Sequence, residues 1–237
     1  MKFKINRSLY LLVVCVFLAK GTNGYSQTED LNDLYSWNSI GLKYKLNKKW
    51  AFSLEQHLRL KEDISEIDEY FTQFEAKYKI FKNFALVGGL RYLRENDNQG
   101  NIQGYENHFR FQFDAIYKHN IDKFSLAYRL RYQNKNEIGI SHDEGDYANQ
   151  NIRLKTSFKY NLRDWKLDPK VSAEIFNRFQ EDNDNNGFNK YRLTFSTDYT
   201  IKNFGEIGLF YHFEKQLNVD LPEIKRIIGL KYTYTIK

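Results

Sequence analysis

Hydrophobic and polar residues alternate with period two along most of the chain. The pattern is clearest from Trp50 to Lys61. There Trp50, Phe52, Leu54, Leu58 and Leu60 share one parity with Gln56, and Ser53, Glu55, His57, Arg59 and Lys61 hold the other. Successive side chains of a strand point to opposite faces, whereas the apolar stripe of a helix follows a period of 3.6, so this alternation speaks against helix. The segments 40–46, 50–60, 70–80, 84–93, 105–117, 124–132, 148–160, 165–176, 191–199, 207–213 and 224–236 all read this way and predict an all-β protein.

The links between these segments alternate as well. Those at 47–49, 81–83, 118–123, 161–164 and 200–203 are short, and those at 61–69, 94–104, 133–147, 177–190 and 214–223 are longer and polar. Short turns on one side and long loops on the other are the pattern of an up-and-down antiparallel transmembrane barrel, with short periplasmic turns and longer outer loops. Most segments approach or exceed the roughly 9–11 residues that a tilted membrane strand needs. The expected strand number is about 10 to 12. Eleven strands would put the chain ends on opposite sides, whereas bacterial barrels usually have an even number. Residues 27–33 are short and polar for a further strand, so either they thread the lumen or one segment is misassigned. The rival architecture is a soluble β-sandwich or ligand-binding calyx, in which the apolar parity would face a dry core.

Composition fits the membrane alternative. The chain has 19 Phe, 18 Tyr and 3 Trp, yet its mean hydropathy is −0.69 and 28% of its residues are charged. Aromatics flank the short turns at Tyr44, Trp50, Tyr78, Phe84, Tyr117, Phe124, Tyr160, Trp165, Tyr199 and Phe204, and the long loops at Tyr70, Tyr92, Tyr105, Tyr132, Tyr191 and Phe213. Amphipathic rings settle at headgroup depth, so these positions read as two interfacial girdles. Closing the sheet would also satisfy the backbone groups that an open edge would strand in hydrocarbon.

The first residues change the charge picture. Lys2, Lys4 and Arg7 precede a nearly unbroken apolar run from Ser8 to Ala19, followed by the small, polar stretch Gly21 to Ser26. This is the order of a secretory signal peptide, here expected over 1–26, with 27–237 forming a single barrel domain. Its removal takes away four basic side chains and lowers the formal charge from +6 to +2, so nucleic acid loses its main support as a partner. Cys15, the single cysteine, lies in the same segment, which leaves no thiol for a disulfide, zinc site or nucleophile.

The stretch Trp37-Asn-Ser-Ile-Gly-Leu-Lys-Tyr-Lys-Leu-Asn-Lys-Lys-Trp50, then Leu54-Glu-Gln-His-Leu-Arg59, resembles the exported barrels grouped as domain of unknown function 2490. Tyr128-Arg-Leu-Arg-Tyr132 and Gly229-Leu-Lys-Tyr232 are similar too. The resemblance implies the outer membrane of a Gram-negative bacterium and carries no catalytic residues with it. The expected partners are outer-membrane lipid and lipopolysaccharide, with protein partners unspecified.

The wet parity supplies the candidate chemistry. It holds Glu55, His57, Arg59, Glu75, Lys77, Glu106, His108, Arg110, Asp114, Arg129, Arg131, Arg153, Lys155, Lys170, Glu174, Arg192 and Asp198, along with Lys43 and Asp168, and bases outnumber acids. Such a lumen is either filled by interlocked charges or forms a narrow passage for small anions. At this strand number, Arg and Lys side chains favour the filled interior.

Asp182, Asp184 and Asn186 match the first half of a calcium loop, but Leu193 stands where a bidentate Glu belongs. A polar turn accounts for them equally well, and no metal or other cofactor is expected. Ser53 and His57 share a strand face about 13 Å apart, too far for a nucleophile–base contact. His108 and His212 face inward without a nucleophile at a demanding spacing. A non-enzymatic barrel is therefore expected, with a lipid- or lipopolysaccharide-modifying enzyme as the remaining alternative.

Overall fold

The computed structural model describes residues 31–98, 103–141, 143, 147–161, 167–180 and 186–236. The export signal read over 1–26 lies outside them. Eleven strands form the described chain: β1 (Leu31–Lys45), β2 (Trp50–Lys61), β3 (Glu66–Lys79), β4 (Phe84–Asp97), β5 (Gly104–Ile121), β6 (Phe124–Glu137), β7 (Asn149–Tyr160), β8 (Asp168–Phe179), β9 (Gly187–Ile201), β10 (Gly205–Gln216) and β11 (Glu223–Ile236). They close into a barrel in sequence order. Neighbours in sequence pair antiparallel, and the closing pair, β1 with β11, is parallel, with Leu31 beside Glu223 and Tyr44 beside Ile236. An odd number of up-and-down strands makes the first and last run the same way, so the seam has to be parallel.

The alternation located every strand but not its ends. β1 starts at Leu31 rather than residue 40, so Leu31–Asp33 belong to the sheet and do not thread the lumen. β3 starts at Glu66, β9 at Gly187, and β6 continues to Glu137, all inside stretches read as long links. On the other side, β5 runs to Ile121, leaving only Asp122 and Lys123 as the turn before Phe124. Asp122 adopts a left-handed φ of 47° there, a conformation that short Asp side chains tolerate. The misjudged ends share one cause. Beyond the aromatic rims both faces of a strand are polar, so the parity contrast disappears while the ladder hydrogen bonds continue. Strands of 12 to 18 residues therefore outrun the stretch that the pattern marks.

The polarity of the molecule is inverted relative to a globular domain. Among the described residues, sixteen polar or charged residues are buried and eight hydrophobic ones are. Outward-facing Ile40, Leu54, Phe74, Leu90, Phe113, Leu130, Leu154, Phe195 and Leu230 are all exposed. The short-turn girdle is assembled on that outer face: Trp50 packs 4.7 Å from Tyr78, and Phe124 packs 5.0 Å from Tyr160. Tyr44, Tyr117 and Phe204 are exposed along the same rim, and Trp165 lies outside the described residues. At the far rim, Tyr70 meets Tyr105 and Tyr191 meets Phe213.

Candidate functional site in the lumen

Inward-facing side chains lock together across strands. Because a strand alternates its faces, residues paired in register present their side chains to the same side, and one register row can be followed around the wall. Arg129 sits beside Lys155, Lys155 beside Glu174, Glu174 beside Arg192, Arg192 beside Glu214, and Glu214 beside Lys225. From Lys155 to Lys225 the charges alternate in sign, the arrangement that stabilises cross-strand neighbours.

The contacts follow from that row. Glu174 accepts from Arg129 at 2.7 Å and from Arg153 Nε at 3.0 Å, with an Arg192 nitrogen 3.9 Å away. Glu214 pairs with Arg192 and accepts from Lys190 at 2.9 Å. Both carboxylates are buried, and each is compensated by at least two cations. On the adjoining strands β5 and β6, Arg131 grips Asp114 through two parallel hydrogen bonds of 2.6 and 2.7 Å, the fork geometry that makes arginine–carboxylate pairs strong. Glu75 accepts from Gln73 and Gln112, both at 2.8 Å. Lys231 donates to Glu55 at 2.8 Å, and His57 lies 3.0 Å from the same carboxylate.

Aromatic rings stand between these ion pairs. The Arg59 guanidinium, paired with Glu69, lies 3.8 Å from the centre of the Trp37 ring and 5.0 Å from that of Phe71. Arg91 covers Phe71 at 3.5 Å, and His57 stacks on the same ring at 4.3 Å. Phe176 receives Arg153 at 4.3 Å and Lys190 at 4.8 Å. Such stacking gains most where water is excluded. It also lets a planar cation keep one favourable contact when a carboxylate is out of reach.

Among the described residues these side chains line two inner chambers. The one toward the long links has a volume of about 490 Å³, and the one nearer the short turns about 410 Å³. Arg129, Arg131 and Lys231 border both chambers. Each of the three is held by a carboxylate, so the partition between the chambers is pinned by ion pairs. Toward the short turns a third hollow of about 470 Å³ is lined by Lys43, Lys45, Lys48, Lys49, Lys77, Lys79, Lys82 and Lys118, and by no carboxylate among the described residues.

A family model described as "Protein of unknown function (DUF2490)" matches residues 34–221. The chain belongs to the DUF2490 family. No curated protein matches it. The family match runs from within β1 through β10, so the lumen charges of β11 in this DUF2490 barrel, Lys225 and Lys231, lie beyond the matched range.

The barrel brings most of the residues expected in the charge network into bonded groups. Glu106 and His108 meet at 3.1 Å near the far rim, where His108 is also 3.5 Å from Glu95. Lys77, Lys155 and Lys170 make no ion pair within 4 Å among the described residues, and Asp198 stands against Gly208. Of the calcium-loop candidates, Asp182 and Asp184 lie outside the described residues. Asn186 spends its amide on the backbone of Gln180, accepting its N–H at 2.7 Å and donating to its carbonyl at 2.8 Å. His212 meets the hydroxyl of Thr194 at 2.8 Å and packs against Phe210 and Trp37 rather than against a carboxylate.

Several central residues escape the sequence reading. Glu69, Lys190 and Glu214 fall in stretches read as links, and Trp37 precedes the first segment assigned. Phe71 and Phe176 are apolar on a charged parity. Such exceptions to the alternation were the available signal, since an inward aromatic flanked by inward cations has a specific partner to stack on. Arg91 lies on the inward parity of β4 and was legible in principle.

Proposed function

We propose that this DUF2490 barrel spans the outer membrane of a Gram-negative bacterium as a non-enzymatic protein with a closed, charge-filled lumen, serving a structural or interaction role at the envelope. The observation that carries this reading is the inverted polarity: Arg91, Gln112, Asp114, Glu174 and Glu214 are buried, whereas Leu54, Leu90, Phe113 and Leu230 are exposed. A soluble calyx would hide the second set and expose much of the first. An outward apolar band between two aromatic rims instead matches a bilayer, with lipid and lipopolysaccharide as its neighbours.

A second reading, a narrow passage for small anions, has the surplus of inward cations in its favour. The closed-lumen reading ranks first because the side chains dividing the two chambers are each held by a carboxylate. The test begins with the membrane fraction. The protein is expected to remain there after lysis, to need detergent for extraction, and to show no steady conductance steps in a planar bilayer. Recovery without detergent would overturn the membrane reading, and stable anion-selective steps would replace the closed lumen with the channel.

The orientation proposed here puts the short turns in the periplasm and the long links outside. There Asp33, Glu62, Asp63 and Glu66 give that end an acidic rim, with Asp33 accepting from the Glu62 and Asp63 backbone amides. A peptide tag inserted at Asn218 should be labelled on intact cells, and one replacing Lys48 and Lys49 should not. The opposite pattern would reverse the orientation.

A further inference from the structure

Among the described residues, twelve lysines and arginines line the chamber of about 490 Å³, against two carboxylates, Glu69 and Glu174. Both carboxylates are engaged, Glu69 with Arg59 and Glu174 with Arg129 and Arg153. Carboxylates outside the chamber wall hold some of the other cations: Asp114 holds Arg131, Glu95 holds Lys135, Glu214 holds Lys190 and Arg192, and Glu55 holds Lys231. Arg91, Arg110, Lys155 and Arg178 remain, with no carboxylate within 4 Å among the described residues.

Two of these four sit side by side on adjacent strands. Arg91 of β4 and Arg110 of β5 are register partners, and both are more than nine-tenths buried. Arg91 donates to Gln73 Oε1 at 3.0 and 2.5 Å, and Arg110 donates one bond of 3.0 Å to Gln112 Oε1. The buried Nε of Arg110 has no hydrogen-bond partner. A buried cation without a counter-charge is costly, and like charges directly opposite each other on a sheet repel. A sequence needing only to fill this wall would meet those costs by placing a carboxylate at one of the two positions.

The geometry points to a binding site for a phosphate-type oxyanion in this chamber, held by the paired guanidiniums of Arg91 and Arg110 with Lys155 contributing charge. Arg91 already spends Nε and Nη2 on Gln73, so its Nη1 and the unpartnered Nε of Arg110 are donors left for a multiply charged oxyanion, which can accept from both guanidiniums at once. The volume is in the range of small-ligand pockets and accommodates either free phosphate or the phosphate group of a small monoester. The site is independent of whether the barrel conducts.

The test uses the full barrel in detergent micelles, in low-salt buffer free of phosphate. Inorganic phosphate and glycerol phosphate are titrated separately, with sodium chloride matched for ionic strength. Tryptophan emission and the thermal midpoint are followed. A ligand that binds only the folded barrel raises the midpoint as its concentration passes its dissociation constant. Phosphate is expected to raise the wild-type midpoint beyond the salt control, and Arg110→Gln to weaken binding at least tenfold. The same variant should melt higher than wild type in the phosphate-free buffer, because it removes a buried repulsion. A guanidinium needed only for packing would lower it instead. Arg110→Lys keeps the charge and loses the fork, so it decides the matter if the glutamine variant does not fold, and it too should bind at least tenfold more weakly. Tighter binding of glycerol phosphate identifies a phosphomonoester as the ligand, and tighter binding of inorganic phosphate identifies the free ion. No phosphate effect beyond salt in the wild type, or an equal effect in the variant that folds, overturns the site.

Discussion

Replacing Glu174 by glutamine is expected to destabilise the folded barrel by about 3–5 kcal/mol, the usual cost of breaking a buried ion pair from one side. The carboxylate is buried between Arg129 and Arg153, with Arg192 next along the register row. Glutamine preserves the shape and one acceptor but leaves these guanidiniums facing one another without a counter-charge. The measurement is the urea midpoint of the refolded protein, followed by the mobility difference between folded and heat-denatured barrel on a gel. A second substitution, Arg153→Met, should recover part of the loss. The two changes share a contact, so their effects should fall short of additivity. A loss of stability below about 1 kcal/mol would mean that solvent reaches Glu174 and that the wall is not the interlocked network described.

A larger effect is expected from Gly229→Val. Gly229 lies on the inward face of β11 at the seam, in register with Trp37 of β1 and Phe210 of β10. A side chain there would overlap the Phe210 ring and the Trp37 carbonyl oxygen. The ring is fixed by stacking on His212 at 4.4 Å and the carbonyl is backbone, so neither can give way cheaply. Overpacking of this kind ordinarily costs about 1–3 kcal/mol, and an obstruction by backbone at the closing strand pair should exceed that range. The expected outcome is loss of the heat-resistant folded band. Gly229→Val combined with Phe210→Ala removes one of the two obstructions and should restore only part of it. A folded Gly229→Val barrel of unchanged stability would show that the seam is looser than its packing indicates.

Much of the architecture was legible because a barrel with an apolar outside and a charged inside writes its two faces into alternate residues. The run Trp50–Lys61 shows the method at its best: Leu54 and Leu58 face outward, and Glu55, His57 and Arg59 face inward, in agreement with the alternation. The method failed where the two faces stop differing. Glu69, Lys190 and Glu214 belong to ladder-paired stretches beside the far-rim aromatics Tyr70, Tyr191 and Phe213, where nothing in their local composition separates them from loop. Bonding within the lumen was less legible still. Glu174 meets Arg129 across two strand boundaries, and its partner depends on register, tilt and closure together. The inward aromatics Trp37, Phe71 and Phe176 were hidden for a different reason. They interrupt the parity rule, and their reward comes from cations on strands far away in sequence.

The parallel seam between β1 and β11 has a kinetic consequence. Each of the other ten strand pairs joins segments adjacent in the chain and can form as a local hairpin. The last pair brings Leu31 beside Glu223, and its ordering cost is that of closing nearly the whole chain into a ring. Contacts of such long sequence separation form slowly, and parallel ladders are slightly weaker per residue than antiparallel ones. The cylinder therefore behaves as a ribbon of hairpins with one late-forming join, and until that join is made both terminal strands present unpaired edges. Whatever escorts the unfinished barrel has to guard those two edges longest, and a nascent barrel should be most vulnerable to proteases and to pairing with other chains along β1 and β11.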